Sequence, residues 1–495
     1  MRLNLANQTG RIVVNLIWRF FRMESLNNSF RKLPQYPNKV IQFGEGNFLR
    51  AFIDWQIQQM NKQGLFKGGV QIVQPLPTGR VKDLDEQDDL YTVLLEGILD
   101  GKKIQSHEII ESVNGTVNPY TEYDKYMALA EDDNIEVIFS NTTEAGIAFD
   151  KNDTLEKIKN GEKSSYPAKL TALLYHRFEL GKKGFHIIPC ELINHNGDAL
   201  KKAILQYADL WNLEQDFVDW INKDNKFYST LVDRIVPGYP RDRAADLEQE
   251  WGYKDQNMVK TEPFLIFVIE GDKDIEKVLP LKEAGINLVV TDDMQPYRNR
   301  KVSILNGPHT TMSPIGRLAG LQTVGQVMAD KDFYKFIDDE MHKEIIPVVP
   351  LPKEELESYA KGIQERFENP YVKHQLSALA LNSISKYRAR LLPNYKRYYE
   401  KYGKLPKRMT LALAAYLWIY NGKSEFEIND TADIVDGFAK IKGTDDYIHA
   451  ALSNPDFWGE DLTKIPGLED LVTKYYNEIG KKGTREIVQE INVEE

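Results

Sequence analysis

The run KVIQFGEGNFLRAFIDWQIQQM constrains this chain more than any other segment. Residues 40–43 are an apolar stretch of strand type, Gly44 and Gly46 supply a tight turn, and an amphipathic helix follows with Phe48, Phe52 and Trp55 on one stripe. A strand that feeds a helix through two glycines makes a phosphate cradle: Gly46 lets the backbone approach a pyrophosphate, whose charge sits at the positive end of the new helix. Leu49 stands where the dinucleotide fingerprint has its third glycine, so the motif is incomplete and by itself also fits an ordinary strand–turn–helix corner.

The residues around this run repeat its alternation. Strand-like stretches recur at 69–73 (GVQIV), 91–95 (YTVLL), 135–140 (IEVIFS, ending in SNTTEAGI), 185–188 (FHII, running into PCELINHNG), 263–269 (PFLIFVI) and 286–290 (INLVV). Strands separated by helical stretches imply a mostly parallel sheet, with polar groups gathered where the strands end. From about Lys301 onward helical periodicities dominate, at 327–346, 353–367, 375–391, 409–419 and 469–479. The expected fold is α/β: an N-terminal Rossmann-like, mostly parallel sheet domain over 36–298 and a mainly α-helical C-terminal domain over 299–495. Residues 1–22 precede a second methionine, Met23, and read as an extension without a place in the fold.

Composition narrows the partners. A chain of 495 residues exceeds one ordinary core. A net charge of −11 and the absence of a basic stripe argue against nucleic acid and anionic membranes. No apolar run reaches the roughly 18 residues of a membrane span. One cysteine, Cys190, excludes an internal disulfide and a multi-cysteine metal site, fits a reducing cytoplasm, and reads as buried and inert.

A second motif, RKVSILNGPHTTM, puts Lys301, Asn306 and His309 within nine positions. In a helix, offsets of five and eight residues turn by about 500° and 800°, so all three share one broad face. A lysine whose pKa is drawn down acts as general acid or base, while Asn and His donate to an oxygen gaining charge, which is what carbonyl reduction needs. The spacing alone also fits a solvated lysine beside an N-cap asparagine and a core histidine.

Taken together, GEGNFLRAF and KVSILNGPH resemble the polyol-specific long-chain dehydrogenases of the mannitol dehydrogenase family, which carry GxGxFxRA near the start and KxxxxNxxH in mid-chain. HNG at 195–197, VDRI at 232–235, EPF at 262–264 and ENP at 368–370 match family blocks in order, and the likeness runs from about Lys39 to the C-terminus. SNTTEAGI, PCELI and RFENPYVKHQLSALALNSISKYRARLLP look most like the members that act on sugar acids. The resemblance implies NAD as cofactor, a small-molecule sugar-acid substrate, metal-independent hydride transfer, and a monomer or small homo-oligomer. It implies that Lys301 is the acid/base and that Asn306 and His309 hold the reacting oxygen. Cofactor positions are then Phe43, Gly44, Glu45, Gly46, Asn47 and Phe48 in the turn, Gln74 at the end of the second strand, and Thr142. Residue chemistry leaves NAD against NADP open, because Gln74 is followed by Pro75 where an acidic ribose ligand is usual, and Arg80 lies within reach of a phosphate. A cofactor-binding sensor without turnover is the rival from another class, and the intact Lys/Asn/His set argues against it.

Three positions depart from the family pattern. Leu192 replaces an asparagine two residues after the cysteine, with Asn194 close enough to substitute. Arg298 replaces a glutamate three residues before the lysine and is either a carboxylate partner or an exposed side chain. Ala378 replaces an arginine eight residues before Lys386, while the lysine itself is kept. An acid substrate requires a cation that a neutral polyol does not, and Lys386 is the first candidate; Arg388 and Arg390 are less suited, since at least one of them faces solvent. The resemblance makes Asp233 a partner for a substrate hydroxyl, against the alternative of an ion pair with adjacent Arg234. His195, in turn-like NHNG, reads as a loop residue.

Overall fold

A computed structural model describes residues 23–143 and 145–494; the expected extension, 1–22, lies outside the described residues. The chain forms two compact units, one of residues up to Glu96 with Ile104–Met294, the other of Gly97–Lys103 with the chain from Gln295 onward.

The first unit is built on a six-stranded parallel sheet in the order Val113–Val117, Gly69–Val73, Asn38–Phe43, Val137–Ser140, His186–Pro189, Lys226–Phe227. Both faces are covered, which is why its strands read as unbroken apolar runs. Val40, Ile72, Val137 and Phe139 pack on one side with Phe52, Ile57 and Met60. Ile41, Phe43, Val73 and Ile138 pack on the other with Leu170, Leu173, Leu200 and Ile204. The chain enters at a central strand, builds outward to one side, and returns to build the other, so the strand order reverses between Asn38–Phe43 and Val137–Ser140. Phe43 and Ser140 are register partners there.

Three of the expected strands lie outside this sheet. Tyr91–Leu99 belongs to a three-stranded sheet between Val259–Thr261 and Lys102–Ile110. Asp100 and Gly101, both at positive φ, make the two-residue turn into Lys102–Ile110, a mostly exposed strand too polar to stand out in the sequence. Ile266–Glu270 pairs in parallel with Leu288–Thr291 and antiparallel with Ser229–Asp233 in another three-stranded sheet.

The second unit is helical, as its periodicities require. Lys353–Phe367 forms as one helix. The stretch at 327–346 breaks where Asp330 turns extended and accepts from the amides of Asp332 and Phe333, capping Lys331–Asp339; Glu340–Ile345 then continues as a π-helix. The stretch at 375–391 divides into Leu376–Leu379 and Ser383–Arg390, because Asn382 adopts φ 51°. Lys407–Tyr420 is buried nearly all round, and Arg408 at its start pairs with Asp339 at 3.0 Å and Glu344 at 3.3 Å.

Beneath the glycine turn sits a buried polar cluster. Gln42, the one polar residue in the central strand's apolar run, is fully buried. Its Nε2 donates to Gly44 O at 3.1 Å and to Asp54 Oδ2 at 3.3 Å, and the Tyr91 hydroxyl donates to the same carboxylate oxygen at 2.7 Å. Burial pushes the Asp54 carboxyl up to about 7, against the opposing pull of Tyr91, Gln42 and Arg50. The folded chain therefore keeps this proton up to about pH 7, while the unfolded chain releases it near the ordinary 3.8. Stability contributed by the neutral acid is fully present below pH 4 and falls as pH rises through 7. Asp54→Asn is expected to remove this loss, so that the gap in unfolding free energy between variant and parent shifts in the variant's favour by up to about 4 kcal/mol between pH 4 and pH 8. Denaturant melts across that range test it, and a pH-independent gap contradicts it.

Candidate functional site

Gly44 has φ 126°, a conformation closed to L side chains, and a Cβ there would come within 3.1 Å of Asn141 O. The neighbouring strand end is thereby held against the turn. Gly46 differs: a Cβ there would meet nothing within 4 Å, and Gly46 and Asn47 are exposed. The helical run that starts at Asn47 continues through a π turn, Arg50–Asp54, into Trp55–Lys62. Among the described residues no side chain caps its start, which leaves its first N–H groups without a side-chain partner at the positive end of a helix. Arg50 locks the geometry from inside, donating to Glu45 O at 3.0 Å, to Asn47 Oδ1 at 2.9 Å and to Asn257 O.

The expected cofactor residues collect at this sheet edge with different degrees of freedom. Phe43 is buried below the turn against Tyr166, and Phe48 stacks on Phe52. Glu45 accepts from Arg80 N at 3.0 Å. Gln74 is buried and spends its amide on the carbonyls of Leu76 and Pro77, so it shapes the loop beyond its strand. Arg80 is tied to Asp83 at 2.7 Å. Thr142 is held through its N–H at 2.9 Å and its hydroxyl at 3.0 Å by Glu191, which also accepts from Ser140 at 3.1 Å. Glu191 and Gln42 are the residues the motif reading missed. Both carry the same signal, a polar side chain at or inside a buried strand.

The remaining first-unit positions lie beside the outer strands. Asp233 is buried at the end of Ser229–Asp233. Arg234 does not pair with it: its Nε and Nη1 donate to the carbonyls of Glu262 and Ala51, and its guanidinium covers the Trp55 ring at 4.4 Å. Asn194 is exposed, and so is Leu192, whose side chain offers no hydrogen bond there. His195 caps the helix Asn196–Leu210 at φ 49°, with Nδ1 3.5 Å from Glu270. Cys190 is buried, and burial pushes its thiol well above the ordinary value.

In the second unit Lys301, Asn306 and His309 lie on one helical run, but its first part is not α-helical. Lys301–Asn306 is a π-helix that passes directly into the α-helix Gly307–Leu318. The i→i+5 step of a π turn sets Asn306 about one turn beyond Lys301, so an offset of five keeps the two together better than an α-helix would. Lys301 and Asn306 are partly exposed. His309 is buried, edge-on to His374 at 4.9 Å and tilted on Phe367 at 4.6 Å. Burial, with Arg366 nearby, lowers the pKa of His374. Arg298, partly buried, lies on Gln295–Arg300, where Arg300 is pinned by Glu355 and the rings of Tyr297 and Tyr359. Lys386 donates to Leu379 O at 3.0 Å.

The mannitol dehydrogenase Rossmann domain matches residues 38–283, and the mannitol dehydrogenase C-terminal domain matches 293–480. Altronate oxidoreductases of Escherichia coli O7:K1 and Shigella flexneri are 42% identical over 483 residues, spanning 94% of this chain and 99% of each relative. Pseudomonas fluorescens mannitol 2-dehydrogenase, solved as a ternary complex with NAD and D-mannitol, shares the fold at 23% identity and a TM-score of 0.68, over 94% of this chain and 99% of that one. A substrate-free D-sorbitol dehydrogenase does so at 22% identity and a TM-score of 0.78, over 93% and 99%. With both domains matched and the order of motifs kept from end to end, the chain belongs to the mannitol dehydrogenase family.

Proposed function

We propose that this chain is an NAD-dependent oxidoreductase that interconverts D-tagaturonate and D-altronate in hexuronate breakdown. In this reading it uses metal-independent hydride transfer and acts in the cytoplasm as a monomer or small homo-oligomer. The observation that carries the reading is the 42% identity to altronate oxidoreductases over 94% of the chain. The Lys301, Asn306 and His309 set on one helical run supports it chemically.

The dinucleotide, when bound, supplies or accepts the hydride. The uncapped amides after Gly46 suit its pyrophosphate, and the open space at Gly46 admits the close approach this requires. Phe43, Gly44, Glu45, Asn47, Phe48 and Thr142 shape that edge, and Gln74 holds the loop beside it. The tie to Asp83 offsets the charge of Arg80, a cation suited to a ribose phosphate, which favours NAD over NADP. Lys301 gives its proton to the oxygen that gains charge during reduction and takes it back in the reverse direction. Asn306 and His309 donate to that oxygen, and the buried setting of His309 strengthens its hydrogen bond. Asp233 and Asn194 orient substrate hydroxyls, while Lys386 and Arg298 supply positive charge to the acid end.

Absorbance of reduced cofactor tests the substrate directly. D-Tagaturonate is expected to be consumed faster than D-fructuronate or D-fructose, and NADH is expected to outperform NADPH. Faster turnover of D-fructuronate overturns the substrate, and a higher kcat/KM with NADPH overturns the cofactor. Lys301→Ala is expected to lower turnover at least about 100-fold with NADH binding nearly intact. A variant that keeps more than about half the parent rate removes Lys301 from the proton step.

A further inference from the structure

The helix Ser383–Arg390 carries two cations, Lys386 and Arg390, four residues apart on one face. Like charges at that spacing repel, and helices usually relieve them with a neighbouring carboxylate. Among the described residues no carboxylate forms an ion pair with Arg390. Its one hydrogen-bond partner is the Thr310 hydroxyl, at a long 3.5 Å. Burial lowers the pKa of both cations, with Arg390 adding to the effect on Lys386 and Asp430 opposing it. Asp430 is itself engaged by the Tyr420 hydroxyl at 2.6 Å and by Ile384 N at 3.1 Å. A third cation, Arg317, lies over the Phe426 ring at 4.0 Å, and burial lowers its pKa as well. Between the arginines the Tyr416 hydroxyl donates to Thr310 O at 2.7 Å, so it is not a counter-ion. Desolvated positive charge without an acid is costly unless an anion arrives to pair with it.

The place of this charge matters as much as its sign. Thr310 follows His309 directly, and its hydroxyl donates to Asn306 O at 2.8 Å. The Arg390 guanidinium thus sits against the helical run that carries Lys301, Asn306 and His309, one residue beyond His309. Arg388 points elsewhere, close enough to Gly459 that a Cβ there would meet its Nη2 at 2.7 Å. The Lys386 ammonium is held at Leu379 O and adds a compact positive charge without a fork. Of the two cations on this helix face, Arg390 is the one with a planar fork that matches a carboxylate with two parallel hydrogen bonds, and the guanidinium of Arg317 is stacked on the Phe426 ring.

We propose that Arg390 grips the substrate's carboxylate and is the residue that selects a sugar acid over a neutral ketose. This rests on the substrate class proposed above.

The test measures kcat/KM for D-tagaturonate and D-fructose with the parent, Arg390→Met, Arg390→Lys and Lys386→Met. Arg390→Met is expected to reduce the acid-over-neutral preference at least about tenfold, mainly through KM for the acid. Arg390→Lys should recover only part of it, since charge returns without the fork. Lys386→Met should change the preference less than Arg390→Met does. Thermal melting with D-altronate gives a reading independent of turnover: the ligand should raise the melting temperature of the parent and Arg390→Lys more than that of Arg390→Met. If Arg390→Met does not fold, the same comparisons are made with Arg390→Lys against the parent. A preference unchanged within about twofold, or a larger change in Lys386→Met than in Arg390→Met, overturns the assignment. If the parent turns over no sugar acid at all, the proposed function fails first; if it does and the arginine variants keep its preference, only Arg390 is misassigned.

Discussion

Everything at the dinucleotide-type edge follows from one register pair, Phe43 beside Ser140, where the central strand meets the strand to which the chain returns. Two parallel strands ending side by side, with their connections leaving in opposite directions, open a crevice that neither connection fills. The close fit of Gly44 to Asn141 O and the open space at Gly46 are two consequences of that juncture. A side chain at Gly44 would press on the neighbouring strand end, whereas a Cβ at Gly46 would meet nothing within 4 Å.

Such an edge is backed by buried polar groups that hold one another in place. Gln42, Asp54 and Tyr91 are joined by hydrogen bonds on one side of the turn, and Glu191 holds Ser140 and Thr142 on the other. These groups are buried, so each hydrogen bond is strengthened by its surroundings and each broken one is expensive. The second unit uses a different device. The segment that carries Lys301, Asn306 and His309 begins as a π-helix, a form that persists only where tertiary packing compensates it, and the α-helix that follows is buried over most of its length.

The parallel sheet was legible because strands buried on both faces write continuous apolar runs, and GVQIV at 69–73 is the clearest case. Lys102–Ile110 was not, because an exposed edge strand has no apolar signature. Helix breaks at Asp330 and Asn382 were hidden for another reason: one depends on a cap and the other on a left-handed backbone, and neither disturbs the apolar spacing on which the periodicity rests. The grouping of Lys301, Asn306 and His309 on one helical run was legible, but the π geometry that relates the first two was not, since no residue pattern encodes it. The loop beyond the second strand was not legible either: the Gln74 side-chain N–H groups shape it by donating to the carbonyls of Leu76 and Pro77, which strand periodicity does not register.

Charge links the two levels. The chain carries a net −11, a field that disfavours approach of an anionic sugar acid, so selectivity for such a substrate has to come from local positive charge strong enough to act at short range. Surface lysines do this poorly because water and salt screen them within about 8–10 Å. Arg317, Lys386 and Arg390 are partly withdrawn from water and lack a paired carboxylate among the described residues, so their field is less screened than that of exposed charges. Burial that makes an unpaired charge costly also makes a site built on such charges favour an anion over a neutral molecule of the same shape.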